Sequence, residues 1–393
     1  MNKTVLPYGR QWISEEDIQT VVETLRGTNL TQGPKIAEFE QALASFCGAK
    51  YAVVVNSGTS ALHISCLAAG IQAGDEVITS PITFVASANC AFYCGAKPVF
   101  ADIESETALI DPIEIEKKIN SNTRAIIPVH FTGQSAKMEQ ISSLVKSAEK
   151  KWGKKIYLIE DAAHALGATD HEKKIGSCSH SDMTILSFHP VKHITTAEGG
   201  AVLTNDPELY QRLQLFRSHG ITRELGLLQD RSNQPWGYEQ HELGYNYRLP
   251  DLLCALGISQ LKRLPSFLER RRQIASRYRQ AFSDIKGVGL LVDRPEQQNA
   301  YHLFIILLNF QNLGGRNLFM NQLQQESGII TQVHYIPAHT QPYFKKKLGT
   351  RWGDFPKAEN YYEKCLSIPM YPAMTDPDVE RVIAEIKKLV SKN

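Results

Sequence analysis

Short apolar runs and longer amphipathic segments alternate along most of the chain. Segments with an apolar residue at every third or fourth position, such as 60–69 and 138–150, predict helices. Two further amphipathic helices, one beginning after Ser14 and one around Ile36, precede the first apolar run. Aliphatic strands separated by helices predict an α/β fold, with a mainly parallel central sheet covered by helices on both faces. The predicted strands are residues 52–55, 76–79, 98–101, 125–129, 156–159, 184–188 and 201–204.

The pattern changes after residue 218. Residues 219–247 are rich in Gly, Gln and Asn with few periodic apolar positions, and connectors of this length are usually functional or disordered. We therefore predict a large domain of residues 1–250, which includes the N-terminal segment 1–30, and a small C-terminal α+β domain of residues 251–393. The elements predicted for the small domain are helices at 250–261, 264–282 and 318–327, strands at 301–308 and 329–333, and a helix that ends the chain.

Composition narrows the class of protein. The 43 Lys and Arg residues nearly balance 41 Asp and Glu residues, and a net charge of +2 is too small to favour nucleic acid or an anionic membrane. No apolar run approaches the roughly 20 residues of a membrane span, and the first residues lack the apolar core of a secretory signal. Seven scattered cysteines do not suggest a disulfide framework. These features predict a cytoplasmic globular protein that binds neither nucleic acid nor membrane.

Residues 56–60, Asn-Ser-Gly-Thr-Ser, follow the first predicted strand and begin the next helix. A turn of small hydroxyl residues and glycine exposes backbone N–H groups at the positive end of a helix, and this arrangement binds phosphate. The same residues are also the preferred caps of an ordinary helix. The segment therefore predicts either a phosphate site or a simple cap.

Two more strand ends carry reactive side chains. Asp161 ends the strand at 156–159, at the edge where ligands of open α/β sheets bind, although an Asp there also caps helices. Ser187 lies at the end of the strand at 184–188, and Lys192 follows that strand. A lysine beside a buried strand is nucleophilic if it is desolvated and is an ordinary surface residue if it is not. His189 and His193 have the spacing of a metal pair, but Pro190 interrupts the segment and no glutamate lies between them, so no metal is predicted.

Other features have simpler explanations. The basic run 270–272 lies in a predicted helix beside a glutamate and is interpreted as a solvated helix face. The run 345–347 is interpreted in the same way, with a nucleotide phosphate partner as the alternative. Phe84 would, by composition alone, belong to a core. The remaining motifs are weak individually, but their order along the chain indicates a class of enzyme. A phosphate turn, a strand-end Asp, a strand-end Ser and Lys, and a Gly pair are what a pyridoxal phosphate enzyme needs.

The chain resembles the DegT/DnrJ-type sugar aminotransferases, which are fold-type I pyridoxal phosphate enzymes. The resemblance covers nearly the whole sequence and is strongest to members that serve pseudaminic acid synthesis. The segments that carry it are 30–34 (LTQGP), 56–61 (NSGTSA), 81–84 (PITF), 131–134 (FTGQ), 160–164 (EDAAH), 187–192 (SFHPVK) and 244–249 (GYNYRL).

The resemblance implies a role for each matching position. It implies Lys192 as the residue that bonds pyridoxal 5'-phosphate covalently and moves protons. The implied cofactor-binding residues are Asp161 at the ring nitrogen, Phe84 stacked on the ring, Gly58, Thr59 and Ser187 at the phosphate, Gln134 at the phenolic oxygen, His164 near the ring, and Asn246, which reaches the phosphate from the neighbouring subunit of a homodimer. The implied nucleotide-sugar contacts are Tyr8, Thr28, Asn29, Leu30, Thr31, His334, Tyr335, Ile336 and Pro337.

The implied reaction moves an amino group from L-glutamate to C4 of a UDP-linked 4-keto-6-deoxy-N-acetylhexosamine. A related enzyme that acts on a C3 keto sugar or a 4-keto pentose is the main alternative. A sugar 3-dehydratase on the same scaffold is disfavoured, because in those relatives a histidine replaces the lysine found here at Lys192. A regulator that only binds the cofactor is disfavoured by the intact set of Lys192, Asp161 and Ser187.

Overall fold

The computed structural model describes residues 5–230 and 234–391, so the outer ends of both predicted domain ranges lie outside the described residues. No helix within these ranges is long and apolar enough to cross a bilayer. The helices are α1 (Glu15–Arg26), α2 (Pro34–Cys47), α3 (Gly58–Ala68), α4 (Ala86–Tyr93), α5 (Pro112–Lys118), α6 (Met138–Trp152), α7 (Pro207–Arg217), α8 (Asp251–Phe282), α9 (Arg316–Ser327), α10 (Pro342–Leu348), α11 (Pro356–Lys364) and α12 (Asp376–Ser391). The strands are β1 (Tyr51–Val55), β2 (Glu76–Thr79), β3 (Lys97–Phe100), β4 (Thr123–Ile127), β5 (Tyr157–Asp161), β6 (Thr169–Asp170), β7 (Lys173–Lys174), β8 (Met183–Ser187), β9 (Gly200–Thr204), β10 (Ile221–Thr222), β11 (Glu239–Gln240), β12 (Val288–Leu290), β13 (Gln297–Gln298), β14 (Phe304–Leu308) and β15 (Cys365–Ile368).

A seven-stranded sheet forms the centre of the described chain, in the order β1-β9-β8-β5-β4-β2-β3. Strands β3, β2, β4, β5 and β8 run parallel, and β9 is antiparallel to both of its neighbours, β1 and β8. Alternate residues of a strand point to opposite faces. In β1, Val53 and Val55 pack with α3 and α7, whereas Val54 packs with α2 and α8. The predicted α/β fold with a mainly parallel sheet covered on both faces is confirmed.

The sheet order brings distant chain positions to one edge. Asp161, the last residue of β5, pairs with Ile185 near the end of β8. Gly200 begins the antiparallel strand β9 and pairs with the last residues of two neighbours, Ser187 of β8 and Val55 of β1. The carboxyl ends of three strands, the turn into α3 and the start of β9 therefore meet at a single edge of the sheet.

Helix α8 is continuous through Pro265, where the sequence pattern predicted two helices. Its first half packs with α1, α2 and the core beneath the central sheet, and its second half packs in the core of the C-terminal region. Burial along both halves stabilises the helix despite the backbone hydrogen bond that Pro265 cannot donate.

Arg271 contradicts the interpretation of the run 270–272 as a solvated helix face. Its side chain is 0% exposed, and Nη1 donates to the carbonyl oxygens of Tyr301 (3.0 Å), His302 (3.2 Å) and Met370 (3.0 Å). The helical period explains the error, because the middle residue of the run lies on the face of α8 that packs on the protein interior. Because all three residues of the run are basic, the sequence pattern does not show that the middle one belongs to the buried face.

The C-terminal region contains an antiparallel sheet in the order β12-β14-β15, which shares a core with α9, α12 and the second half of α8. Leu6 of the N-terminal segment is buried in the same core. The strand predicted at 329–333 is wrong, because the segment makes isolated bridges from Ile329 to Leu6 and from Gln332 to Ser367. Its two ends pair with different parts of the chain, so no ladder continues between them. The domain boundary near residue 250 stays a prediction.

Candidate active site

A cavity of about 640 Å³ opens at the edge where the strand ends meet. Its wall is built from the turn into α3, the start of α4, the ends of β5 and β8, the segment that follows β8, and residues 332–336. The predicted site residues that line it are Tyr8, Gly58, Thr59, Phe84, Asp161, His164, Ser187, Lys192, His334, Tyr335 and Ile336.

The turn between β1 and α3 forms a corner suited to an anion. Ser57 caps α3, since its Oγ accepts a hydrogen bond of 3.0 Å from a backbone N–H of the first turn. The corner has no room for larger residues: a Cβ atom on Gly58 would lie 3.0 Å from Cβ of Ser187, and one on Gly200 would lie 2.6 Å from the carbonyl carbon of Ser57. The first N–H groups of a helix lack acceptors within the helix and attract negative charge. The corner therefore fits a phosphate group.

Asp161 is held in place by two hydrogen bonds. Its Oδ2 accepts from Oγ of Ser87 (2.6 Å) and its Oδ1 accepts from the backbone N–H of Ala163 (3.2 Å). Each carboxylate oxygen keeps a further lone pair, so Asp161 can also accept from a protonated ring nitrogen. Ser87 was not predicted, because a single serine within α4 carries no signal in the sequence.

Lys192 has an amine that is partly neutral at physiological pH. Burial lowers the pKa of Lys192 to about 7, and the negative charge of Asp161 opposes this effect. The neutral form of an amine is the nucleophile, so the site favours bond formation between Nζ and an aldehyde. Nζ lies 3.4 Å from Nε2 of His302, a cavity residue that the sequence analysis did not identify.

Three histidines near Lys192, His164, His302 and His334, have a lowered pKa and are neutral. Burial, together with the charge of Lys192, holds the pKa of His164 and of His302 well below the usual value. Burial likewise lowers the pKa of His334 to about 3. His164 is fixed by Tyr335, whose hydroxyl lies 3.1 Å from Nε2. Lys192 therefore faces polar but uncharged rings, with Asp161 as the negative group that acts on its pKa.

Phe84 lies in the cavity wall and not in a core. Its side chain is 59% exposed, and its ring centroid lies 6.5 Å from that of Tyr335. Composition alone therefore misplaced Phe84. An aromatic ring with this much free surface at the cavity can stack on a planar ligand.

Four residues of the predicted sugar-nucleotide set line the same cavity: Tyr8, His334, Tyr335 and Ile336. The rings of Tyr8 and His334 lie 5.2 Å apart, and Nδ1 of His334 lies 2.7 Å from Oγ of Ser367 in β15. Pro337, predicted with them, lies outside the cavity wall, and its carbonyl accepts from the backbone N–H of Thr340 (2.9 Å).

Gln134, for which the resemblance implied a place at the cofactor, makes its hydrogen bonds elsewhere in this chain. It lies outside the cavity wall, its Nε2 donates to the carbonyl of Val292 (3.1 Å), and its Oε1 accepts from the N–H of Arg294 (2.9 Å). The turn that precedes Gln134 contains Thr132 at a φ of 62°, and the chain after this turn runs along the 292–294 segment. Gln134 therefore joins two chain segments, and its implied role at the phenolic oxygen of the cofactor stays a prediction.

The remaining predicted residues are exposed and do not line the cavity of their own chain. Asn246 bridges to Ser218 at the end of α7, and Thr28, Asn29, Leu30 and Thr31 lie before α2. The carbonyl of Leu30 accepts from the backbone N–H of Asp251 at the start of α8. Their roles in binding stay predictions.

A lysine with a lowered pKa, a fixed carboxylate and an anion corner at the carboxyl edge of this sheet are the features of a pyridoxal phosphate enzyme. The chain belongs to the DegT/DnrJ/EryC1/StrS aminotransferase family, whose profile matches residues 11–387. It is therefore a pyridoxal phosphate-dependent sugar aminotransferase, which uses a sugar substrate and an amino donor. Neighbours of known structure include forms with pyridoxal phosphate and pyridoxamine phosphate.

Individual relatives are similar along nearly their whole length. The chain is 41% identical over 386 residues to the spore coat polysaccharide biosynthesis protein SpsC of Bacillus subtilis, covering 98% of this chain and 97% of that protein. It is 39% identical over 391 residues to the UDP-4-amino-4,6-dideoxy-N-acetyl-beta-L-altrosamine transaminase of Campylobacter jejuni, covering 99% and 98%. The structure of Helicobacter pylori PseC, an aminotransferase involved in the biosynthesis of pseudoaminic acid, has a TM-score of 0.90 at 32% identity and covers 99% of this chain and 100% of that chain.

Proposed function

We propose that the enzyme transfers the amino group of L-glutamate to C4 of a UDP-linked 4-keto-6-deoxy-N-acetylhexosamine, in the pathway to pseudaminic acid. The observation that carries the proposal is the single cavity that holds Lys192, Asp161 and the anion corner of α3. The choice of sugar is supported by the 39% identical transaminase and by the structural similarity to PseC.

The cavity fits the cofactor at three points. The anion corner of Gly58, Thr59 and Ser187 would hold the phosphate, Asp161 would hold the protonated ring nitrogen, and Phe84 would cover one face of the ring. When bound, pyridoxal phosphate supplies an aldehyde for amines and a ring that accepts the electrons left when a proton departs from the neighbouring carbon.

Lys192 would move the proton in the proposed reaction. A pKa of about 7 makes both forms of Nζ available near neutral pH, so Nζ takes a proton as the amine and returns it as the ammonium. Asp161, held by Ser87 and Ala163, would direct its carboxylate at the ring nitrogen of the bound cofactor. Fixed charge of this kind stabilises the transition state without reorganisation.

The sugar nucleotide would enter along the wall formed by Tyr8, His334, Tyr335 and Ile336. We further propose a homodimer in which Asn246 and residues 28–31 complete the site of the neighbouring subunit. Their exposure supports this arrangement, as does the exposure of Trp236 (74%) and Leu243 (78%) in the loop that carries Asn246. Large apolar side chains in one exposed loop are typical of a surface that another chain covers. The cytoplasmic location stays a prediction.

A different keto sugar nucleotide is the alternative substrate, and the 41% identical spore coat polysaccharide protein supports it. The test is a substrate panel that contains the UDP-linked 4-keto-6-deoxy-N-acetylhexosamine, a 3-keto sugar nucleotide and a 4-keto pentose nucleotide. Each is incubated with the holoenzyme and L-glutamate, and products are identified by NMR. Highest kcat/KM for the first sugar, with the amino group at C4, supports the proposal. Preference for either of the others establishes the alternative.

Shared sites are tested by mixing two defective variants. Lys192→Ala and Asn246→Ala are purified separately, unfolded together and refolded. If Asn246 acts in the neighbouring subunit, random pairing of two symmetric subunits restores roughly a quarter of the wild-type activity, because half of the dimers contain one intact site. If Asn246 acts in its own chain, each mixed dimer contains no intact site, and the absence of recovery contradicts the shared site.

A further inference from the structure

His302 is a buried histidine at the cavity for which the proposed chemistry has not yet given a role. Its side chain is 4% exposed, and its Nε2 lies 3.4 Å from Nζ of Lys192. Its ring lies 4.3 Å from the ring of His164 and 5.7 Å from that of His193. Its other nitrogen, Nδ1, is buried and has no hydrogen-bond partner in the described chain. Within the described residues, the one hydrogen-bond contact of this imidazole is therefore with the amine of Lys192.

The backbone of His302 is held from behind by α8. Nη1 of Arg271 donates to the carbonyl oxygens of both Tyr301 and His302. The backbone N–H of Tyr301 donates in turn to Oδ1 of Asn299 (2.7 Å). These contacts fix the 299–302 segment against a long helix, so the imidazole is presented to Lys192 from a rigid support.

The hydrogen-bond partners indicate which ring nitrogen carries the hydrogen. A neutral imidazole has one donor and one acceptor nitrogen. A buried N–H group without an acceptor is rarer in proteins than a buried acceptor without a donor. Because Nδ1 has no partner, we assign the hydrogen to Nε2, the atom that faces Lys192.

We propose that His302 is a positioning residue for Lys192: its Nε2–H donates to the lone pair of Nζ and favours the neutral amine. An ammonium group has no lone pair, so this hydrogen bond exists only with the neutral form. The 3.4 Å distance is at the long end for a hydrogen bond, as is common for catalytic contacts before a substrate binds. The inference deepens the proposed function and rests on it, since it concerns the same lysine.

The groups around Lys192 and His302 have opposing effects on the protonation of Lys192, so a hydrogen bond from His302 can change the balance. Asp161 favours the ammonium form, and burial favours the neutral amine. A donor at Nε2 adds to the influence of burial and opposes that of Asp161. The groups that act on Lys192 or His302 from the surrounding elements are Asp161 at the end of β5, His164 in the turn after it, His193 beside Lys192, Arg271 in α8 and His334 before α10.

The test measures the pKa of Lys192 in the protein without cofactor. The rate at which 2,4,6-trinitrobenzenesulfonate labels Lys192 is followed from pH 5 to 10 by mass spectrometry of the peptide that contains it. In His302→Met the donor is absent, and we expect the apparent pKa to rise by about 0.5 to 1, the value of one neutral hydrogen bond. In His302→Gln an amide N–H replaces the donor and restores a value near that of the wild type. An unchanged or lower pKa in His302→Met overturns the proposal.

His193→Gln is the matched control, because glutamine keeps a donor for the carbonyl of Ala300 that His193 contacts at 3.0 Å. An equal rise in this variant would show that the cluster acts only through packing and would overturn the proposal. If the His302 variants do not fold, neutron diffraction from deuterated wild-type crystals shows which ring nitrogen of His302 carries the hydrogen. Deuterium on Nε2 of His302 supports the proposal, and deuterium on Nδ1 overturns it. Neither measurement uses substrate, so its outcome is separate from that of the substrate panel.

Discussion

Two cations lie close to the same segment of the protein: Lys192, half-buried at the sheet edge, and Arg271, fully buried in α8. Burial lowers the pKa of both side chains, to about 7 for Lys192 and to about 9 for Arg271. Arg271 donates to three carbonyl oxygens, whereas Nζ of Lys192 has a 3.4 Å contact with His302 and faces the cavity. Burial alone therefore does not identify a reactive cation. The number of acceptors that hold it distinguishes a structural cation from a reactive one.

The two cations also depend on each other through the chain between them. Arg271 holds the carbonyl of His302, and the ring of His302 contacts Lys192. The structural cation thus positions the neighbour of the reactive one. A substitution of Lys192 should therefore abolish turnover, whereas a substitution of Arg271 should mainly lower the stability of the fold.

The largest effect is expected for Lys192→Ala. Without Nζ the enzyme loses both covalent attachment of the cofactor and proton transfer, so turnover should fall by more than about 10³-fold and the visible absorbance of the bound cofactor should disappear. The measurements are the absorbance spectrum and the conversion of keto sugar with L-glutamate. Lys97→Ala, which removes a surface lysine paired with Glu76, should retain both properties. Retained turnover in Lys192→Ala would contradict the assigned role.

Arg271→Leu should act on stability. The change leaves three carbonyl acceptors in the interior without a donor, which should lower the free energy of unfolding by about 3 kcal/mol or more. Urea unfolding of the apo protein, followed by circular dichroism, measures this loss. The same substitution one position earlier, Arg270→Leu, removes a partly exposed pair with Asp376 and two hydrogen bonds to the carbonyl of Met374. It should cost about 1 kcal/mol, clearly less than Arg271→Leu. If both variants lose the same free energy of unfolding, the buried hydrogen bonds of Arg271 do not stabilise the fold more than the contacts of Arg270 do.

Ser87→Ala should weaken cofactor binding with little effect on folding. Asp161 loses a hydrogen bond of 2.6 Å that holds its carboxylate toward the cavity, and the dissociation constant of pyridoxal phosphate should rise about tenfold. A fluorescence titration of the apo protein measures the constant. Ser65→Ala removes a buried hydroxyl that bonds within α3 to the carbonyl of Ala61, and it should leave the constant unchanged. If the dissociation constant of Ser87→Ala equals that of the wild type, the hydrogen bond from Ser87 to Asp161 is not needed for cofactor binding.

The smallest effect is a dependence of stability on pH. The pKa of Lys192 is about 7 in the folded chain and near its usual value of 10.5 in the unfolded chain. Between these values the unfolded chain binds more protons, so the apo protein should gain stability as the pH rises above 7, by about 1.4 kcal/mol per pH unit at most. Lys192→Met removes this contribution. The difference in unfolding free energy between wild type and Lys192→Met should therefore change with pH in favour of the wild type, and a difference that stays constant would exclude the lowered pKa.

The sequence predicted the central sheet and the main site residues for one shared reason. Aliphatic runs mark buried strands within a residue or two, and parallel strands place their carboxyl ends at one edge. Ser187 ends such a run, and Asp161 and Lys192 follow one, so the strand pattern predicts that they lie at one edge. Their roles were implied by the resemblance. Gly58 follows β1 in the same way. Local patterns could predict this placement because the ends of parallel strands lie side by side at one edge of the sheet.

Tertiary structure decided the rest, because the deciding contacts join distant parts of the chain. The burial of Arg271 depends on carbonyl groups 30 to 99 positions away, which a run of three basic residues does not reveal. Gln134 turns to a segment 158 positions ahead, and the pairing of Ser87 with Asp161 spans 74 positions. His302 reaches Lys192 because Arg271 holds the segment before β14 against the cavity. Periodicity records which face of an element is buried, and only the packed chain determines which polar groups meet there.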